Sequence, residues 1–312
     1  MFQLKKIGFV FRPDGQAAWW RSHAMAPAPI LMPDGIVRVY VGCWTEDKIS
    51  RIGYVDVLAA QPTEVVGVSP APVLDIGKDG CFDENGVFPA HVYNFGDGKI
   101  HLYYTGFQLG HKIRHYNFGG LAISHDGGST FERFSEAPIM DRADEGLFVR
   151  AGQSIEKADE GGFHVIYSAG SSWHMCQGEL RPVYDVLYQK SSDGINLGKS
   201  GRKIVTCDLT IEHGLGRPQI LKFGDYFYAF YTRRIIKGMR YFMGCSRSRD
   251  CINWERIDHV FDGIAFGAEG EFDHEMVYFP AVVKVSETKA LLFYNGNYFG
   301  RDGMGVIELR LA

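Results

Sequence analysis

Apolar and aromatic residues crowd into short runs along the chain, and Gly, Pro, Asn and Asp separate them. This is the pattern of buried β-strands joined by turns. Five runs close on a tyrosine followed by small or polar residues: VRVYVG, IHLYYTG, FHVIYSAG, YAFYTRR and LLFYNGN. Their tyrosines are Tyr40, Tyr104, Tyr167, Tyr231 and Tyr294, separated by 64, 63, 64 and 63 residues. Such regular spacing is the mark of a structural repeat. No stretch carries the 3.6-residue spacing of a long amphipathic helix.

Each repeat holds more than its tyrosine run. An apolar segment precedes it: AMAPAPILM, GVFPAHVYN, AGQSIEK, GLGRPQILK and MVYFPAVVKV. Turn signals such as Pro33-Asp34-Gly35, Asn94 to Gly98 and Phe223-Gly224-Asp225 lie between the two. A third run follows (RIGYVDV, GGLAISHD, VLYQKSSD, YFMGCSRSRD, GMGVIELRL), and most repeats have a fourth: EVVGVSPAPVL, TFERFSEAPIM and NWERIDHVFD. Four strands repeated five times predict an all-β chain, a five-bladed β-propeller with four-stranded antiparallel blades, as one domain over residues 1–312. The last repeat ends after its third strand. Leu4 to Phe11 resembles the Trp254–Phe261 stretch and supplies the missing fourth strand, closing the ring and covering an open sheet edge.

Composition adds limits. With 33 Lys+Arg against 37 Asp+Glu, the net charge is −4, so the basic footprint of a nucleic-acid-binding protein is missing. No apolar stretch is long enough for a membrane helix, and charge breaks the short apolar run at the N-terminus, so a cytoplasmic protein without membrane insertion is expected. The six cysteines form no C-x-x-C pair, and reduced, mostly buried thiols are expected. No cofactor is called for.

Ser124-x-Asp126-x-Gly128-x-Thr130-Phe131 fits the S-x-D-x-G-x-T-W/F hairpin known as an Asp box, with echoes at Ser192-Asp193-Gly194 and Ser248 to Trp254. In that turn the Asp side chain accepts backbone N–H bonds, which is a structural task. Candidate chemistry lies where the first strands of the repeats start, since these strands would line the central channel. Glu84, Glu212, Glu275 and Arg21 fall 19 or 20 residues before their tyrosines. Around them stand His23, Asp83, Arg150, His213, Arg217 and Asp273. Paired carboxylates across a pocket are what glycosidic-bond chemistry needs: one acid protonates the leaving oxygen, the other activates water or attacks. Charges at strand starts can also simply cap turns or pair with one another. Trp44, Trp173, Tyr184 and Tyr298 offer flat rings for a sugar's C–H face, or for ordinary packing. Asp273, His274 and Glu275 offer oxygen and nitrogen ligands, but neighbours on one strand point to opposite faces, and a metal is left open.

Five blades, acids at the first strands and S-x-D-G hairpins resemble the five-bladed glycoside hydrolase superfamily of arabinanases, invertases and mannoside phosphorylases. Asp273-His274-Glu275-Met276-Val277-Tyr278-Phe279-Pro280 with Phe293 to Gly300 resembles a subgroup associated with bacterial surface-polysaccharide genes. The resemblance implies an enzyme acting on a glycosidic bond; its assignment of catalytic roles does not transfer, and within the ring of three carboxylates Glu212, followed by His213 and Arg217, is the expected general acid, with Glu84 or Glu275 as base or nucleophile. The chain departs from that pattern in the first repeat, where Arg21 and His23 replace the essential Asp. The cations Arg21, His23, Arg150, His213 and Arg217 suggest an anionic ligand: a carbohydrate bearing phosphate, a sugar nucleotide or a carboxylate sugar. Hydrolysis is the first expectation. Phosphorolysis, glycosyl transfer, a non-catalytic carbohydrate-binding propeller and a protein scaffold are the alternatives.

Overall fold

The computed structural model describes residues 2–96 and 98–311; Asp97, within one of the turns named above, lies outside them. The chain is all-β. Its strands are β1 (Phe2–Phe11), β2 (Ser22–Leu31), β3 (Ile36–Trp44), β4 (Ser50–Leu58), β5 (Val65–Val68), β6 (Val87–Asn94), β7 (Ile100–Leu109), β8 (His115–Ser124), β9 (Glu132–Arg133) and β10 (Val149–Lys157). They continue as β11 (Phe163–Cys176), β12 (Glu179–Ser191), β13 (Arg202–Val205), β14 (Glu212–Phe223), β15 (Tyr226–Ile235), β16 (Tyr241–Ser248), β17 (Glu255–Arg256), β18 (Tyr278–Lys284), β19 (Lys289–Asn295) and β20 (Met304–Leu311). Antiparallel pairing follows the chain in four consecutive quartets, β2–β5, β6–β9, β10–β13 and β14–β17. The remaining strands join in the order β18-β19-β20-β1. Short parallel bridges link β8 to β10 and β12 to β14, so three quartets form one continuous twelve-stranded sheet.

Two expectations about fourth strands are corrected. Trp254–Phe261 is not one strand: only Glu255–Arg256 pairs, and Asp258–Phe261 turns into a 3₁₀-helix. The Asp258 carboxylate draws the chain inward, accepting from Tyr231 Oη and the Cys245 N–H at 2.9 Å each. The third repeat has a fourth strand, β13, that its sequence did not announce. At the N-terminus, by contrast, β1 pairs with β20 from Phe2–Leu311 to Phe11–Met304.

Apolar clusters fill the spaces between successive quartets. Tyr40, Ile52, Leu102 and Tyr104 pack between the first two, and Phe230, Met243, Leu292 and Ile307 between the last two. Val39, Val55, Phe293 and Val306 join the last quartet to the first. Each first strand packs against the next, β2 on β6, β6 on β10, β10 on β14, β14 on β18, and β18 returns to β2.

The repeat tyrosines explain Asp83 and Asp273, two of the acids near the strand starts. Each tyrosine is fully buried, and its phenol needs a partner. Tyr104 Oη donates to Asp83 at 3.1 Å, Tyr167 to Glu145 at 2.7 Å, Tyr231 to Asp258 at 2.9 Å and Tyr294 to Asp273 at 2.7 Å. Tyr40 donates instead to the Gly128 carbonyl, inside the Asp-box hairpin. A cation completes each acidic pair: Arg133 for Asp83, Arg150 for Glu145, Arg256 for Asp258 and Lys6 for Asp273. The Asp boxes are formed as expected, with Asp126 accepting from the Ser129 and Thr130 N–H groups, although Ser191 rather than Ser192 serves the second.

Lys6 brings β1 into this scheme, 2.6 Å from the wholly buried Asp273. Lys6→Met leaves that carboxylate without its cation, so an expected loss of about 3 kcal/mol should appear in urea unfolding. Lys6→Met with Asp273→Asn should recover most of it. Equal stability of Lys6→Met and wild type would show that the pair does not hold β1 in place.

Candidate functional site

A cavity of about 930 Å³ opens where the five first strands meet. Met25 of β2, Phe88 of β6, Ala151 and Gly152 of β10, Arg217 of β14 and Phe279 of β18 all line it. The second and third strands of the quartets extend above it as hairpins. The β7–β8 hairpin brings Lys112, Arg114 and His115, the β11–β12 hairpin Trp173 and Arg181, and the β15–β16 pair Arg234 and Tyr241. Four arginines and two lysines thus border the cavity, and among the described residues no Asp or Glu lines it.

The floor depends on a shared irregularity. Every first strand has a register shift opposite its second strand, around Ala26, Ala90, Gly152, Arg217 and Phe279. Ala26, Arg217 and Phe279 adopt left-handed backbone there, at φ of 56°, 49° and 52°. Such bulges redirect side chains and free carbonyls from the ladder. Arg217 collects those carbonyls. Its Nε donates to Pro89 O at 2.9 Å, and Nη2 donates to Ala26 O at 3.0 Å and Pro27 O at 2.5 Å. Nη1 is buried without a protein partner. Burial pushes the guanidinium pKa down to about 9, so it still carries its charge at neutral pH.

On the wall, Arg234 donates from Nη1 to Tyr184 Oη at 2.6 Å and from Nη2 to Tyr241 Oη. Burial pushes the Tyr184 phenol up to about 12, so it stays neutral and leaves the arginine's charge uncompensated. His115 stacks on Phe107 at 4.6 Å. Burial, then the charges of Arg234 and Arg114, lower its pKa to about 4. Trp44 Nε1, Thr105 Oγ1 and Asn117 Oδ1 also face no protein partner.

Of the residues singled out in the sequence, Trp44, Trp173, Tyr184 and Arg217 line this cavity. His23 stacks on Trp44 at 3.9 Å, and His213 bonds Pro182 O at 3.0 Å, so both stand directly behind lining residues. The expected meeting of Glu84, Glu212 and Glu275 on one cavity is not found. Glu212 is fully buried and clamped by Arg233 at 2.7 Å and Arg256 at 2.6 Å. Glu84 accepts from the Gly80 N–H and Gln108 Nε2, and both bonds lower its pKa. Those two partners border a separate, more open hollow of about 650 Å³. Glu275 accepts from Tyr298 Oη at 3.1 Å, on a short turn whose Tyr298 and Phe299 are left-handed. Asp83, Asp273 and Arg150 are buried in the tyrosine pairs, and exposed Arg21 bonds Gly15 O at 2.7 Å.

The physical reason is placement along the strand. Asp83 and Asp273 turn to the buried tyrosines, Glu212 to two arginines, and Glu84 and Glu275 to their own loops, whereas the cavity is reached by the bulges and by the ends of the second strands. Arg234, Phe107 and Trp44 follow their repeat tyrosines by three or four residues. That common offset is the signal in the sequence that marks the cavity.

No family model matches the chain. Its curated relatives include the uncharacterized proteins Rv1502 and MT1551 of two Mycobacterium tuberculosis strains, each 28% identical over 305 residues, spanning 98% of this chain and 98% of the relative. Among solved structures, a glycosyl hydrolase from Bacteroides ovatus aligns at a TM-score of 0.67 with 16% identity, covering 97% of this chain and 94% of that one. A structure from the GH130 family of mannoside phosphorylases aligns at 0.66 and 16%, covering 96% and 94%. A thermostable family-43 glycoside hydrolase aligns at 0.63 and 15%, covering 92% and 89%. The chain therefore has the fold of glycoside-acting enzymes.

His23, His91, His115 and His213 are all lowered to about 4, chiefly by burial. A histidine ordinarily titrates near 6.5, so the unfolded chain binds more protons between pH 6.5 and 4. Stability should therefore fall as pH drops through that window. Thermal melting from pH 7 to 4 checks this, and His91→Gln should flatten the slope. An unchanged melting temperature down to pH 4.5 would contradict it.

Proposed function

We propose that this protein is a single-domain, five-bladed β-propeller closed by its N-terminal strand, and that it makes or breaks the bond between a sugar's anomeric carbon and a phosphate. The observation that carries this reading is the cavity lining: six Lys or Arg side chains and, among the described residues, no carboxylate. Cleaving an ordinary glycosidic bond with water calls for an acid to protonate a poor leaving group and a second group to activate the water. A phosphate removes one of these two needs: it leaves without an acid to protonate it, or attacks without a base to activate it, and its own oxygens can take the proton of an incoming hydroxyl or give one to a departing hydroxyl; guanidinium groups hold it by charge-assisted, bidentate bonds. The cyclic packing of the first strands supports five blades around one axis. The mannoside phosphorylase family among the fold's neighbours supports a phosphate on this scaffold. In this reading Glu84, Glu212 and Asp273 maintain the sheets, and Arg217 and Arg234 bind the ligand.

Calorimetry and turnover assays with sugar 1-phosphates and with neutral oligosaccharides test the proposal. Sugar 1-phosphates should bind, and Arg234→Gln should weaken them about 10- to 100-fold, the worth of a charged hydrogen bond. Glu212→Gln should lower stability while leaving affinity for the folded protein unchanged. Hydrolysis of a neutral oligosaccharide in phosphate-free buffer, abolished by Glu275→Gln, would restore a carboxylate mechanism. Binding without turnover in any assay would make the protein a carbohydrate-binding propeller.

A further inference from the structure

We infer that the phosphate entering the cavity belongs to a nucleoside diphosphate, so that the ligand is a nucleoside diphosphate sugar; this rests on the reading above and specifies its substrate class. Three features of the cavity lead there.

The cations form a column. Gly216 pairs with Thr232 and Leu215 with Arg233, so Arg234 lies opposite the stretch of β14 about three residues from Arg217. At roughly 3.3 Å per residue the two backbone positions are about 10 Å apart along the strand. Arg217 stands at the floor with Nη1 free. Arg234 stands higher on the wall, and the β11–β12 hairpin brings Arg181, whose Nη2 pairs with Glu179 while its Nε is unpartnered. A ligand whose charge is spread along its length fits this column better than one compact anion.

The walls between the cations are aromatic. Nine Phe, Tyr and Trp side chains line the cavity, whereas Asn85 and Asn117 are its only side-chain amides among the described residues. An oligosaccharide has hydroxyls on every ring and calls for carboxylates and amides to receive them. A nucleobase calls for flat rings and a few polar atoms at its edge. Trp173 is 38% exposed at the mouth and lies 4.7 Å from the Phe148 ring, leaving a face available for stacking.

The polar atoms left over are of the kinds a base and a ribose use. Trp44 Nε1 is a donor, Asn117 Oδ1 an acceptor, and Ser50 Oγ and Thr105 Oγ1 serve as either. All four sit on lining residues and have no protein partner.

Titration of the purified protein with UDP, GDP, CDP and ADP, and in parallel with pyrophosphate and glucose 1-phosphate, tests the inference through tryptophan emission and calorimetry. At least one nucleoside diphosphate should quench the emission and bind tenfold or more tighter than pyrophosphate. Trp173→Ala should weaken that nucleotide about tenfold or more, as loss of one stacking ring does, with pyrophosphate affinity unchanged. Arg234→Gln should weaken both. The inference is overturned if pyrophosphate binds as tightly as every nucleotide, or if Trp173→Ala weakens both equally. Binding of glucose 1-phosphate without any nucleotide would overturn it and leave the phosphate reading intact. Binding of none of these anions would remove both.

Discussion

The backbone carbonyls that the bulged first strands release at the axis must find donors, and Arg217 supplies them. Its guanidinium bonds carbonyls of β2 and β6 while its own strand is β14, so one side chain ties three first strands together. A buried carbonyl without a donor costs free energy comparable to a lost hydrogen bond. The guanidinium donates from two separate nitrogens, Nε toward β6 and Nη2 toward β2, a spread that the single nitrogen of a lysine does not have. The left-handed backbone at Arg217 is the strain that accompanies this placement. The same residue leaves both N–H groups of Nη1 unused and its full charge without a carboxylate partner. In the proposed function a structural tie and a ligand seat occupy one guanidinium.

Farther from the axis, the sheets are held by a different polar device, repeated with variation. A fully buried tyrosine would be costly to leave unbonded, and a buried carboxylate would be costlier without a cation. Joined, each removes the other's penalty. The fourth-strand residues Arg133, Arg256 and Lys6 provide the cation in three quartets, and Arg150 of a first strand does so in another. The device thus fastens the outer edge of a sheet to its interior. Lys6 lets the N-terminal strand serve as the outer strand of the last quartet, though it begins the chain.

These two devices divide the charges. Acids such as Asp83, Glu145, Asp258 and Asp273 are consumed in the sheets, and at the centre Arg217 and Arg234 carry charge without a carboxylate partner, while Arg181 pairs with Glu179. The protein's net charge of −4 hides this separation entirely. Histidines near the cavity are kept neutral by burial and by neighbouring guanidinium groups, as His115 illustrates. The cavity is in consequence poor in proton donors and acceptors that titrate near neutrality, and rich in fixed positive charge. These are the properties that the proposed phosphate-bearing ligand requires.

The quartets, their order and the pairing of β1 with β20 were legible in the sequence, because strand runs and tyrosines recur wherever the same packing recurs. Local turn chemistry was legible too, since an Asp box is determined by residues within one hairpin. The recurrence of acids near the strand starts was equally visible, but its meaning was not. Whether Glu212 faces a cavity or two arginines depends on which way a bulged strand turns its side chains, and Arg256 lies 44 residues away in the chain. Arg234 carried no local mark beyond its offset from Tyr231; the phenols of Tyr184 and Tyr241 that hold it come from two different quartets. Periodic burial is a local property and survives in the sequence. The charge of a cavity is a sum over distant segments, and only their packing around one axis decided it.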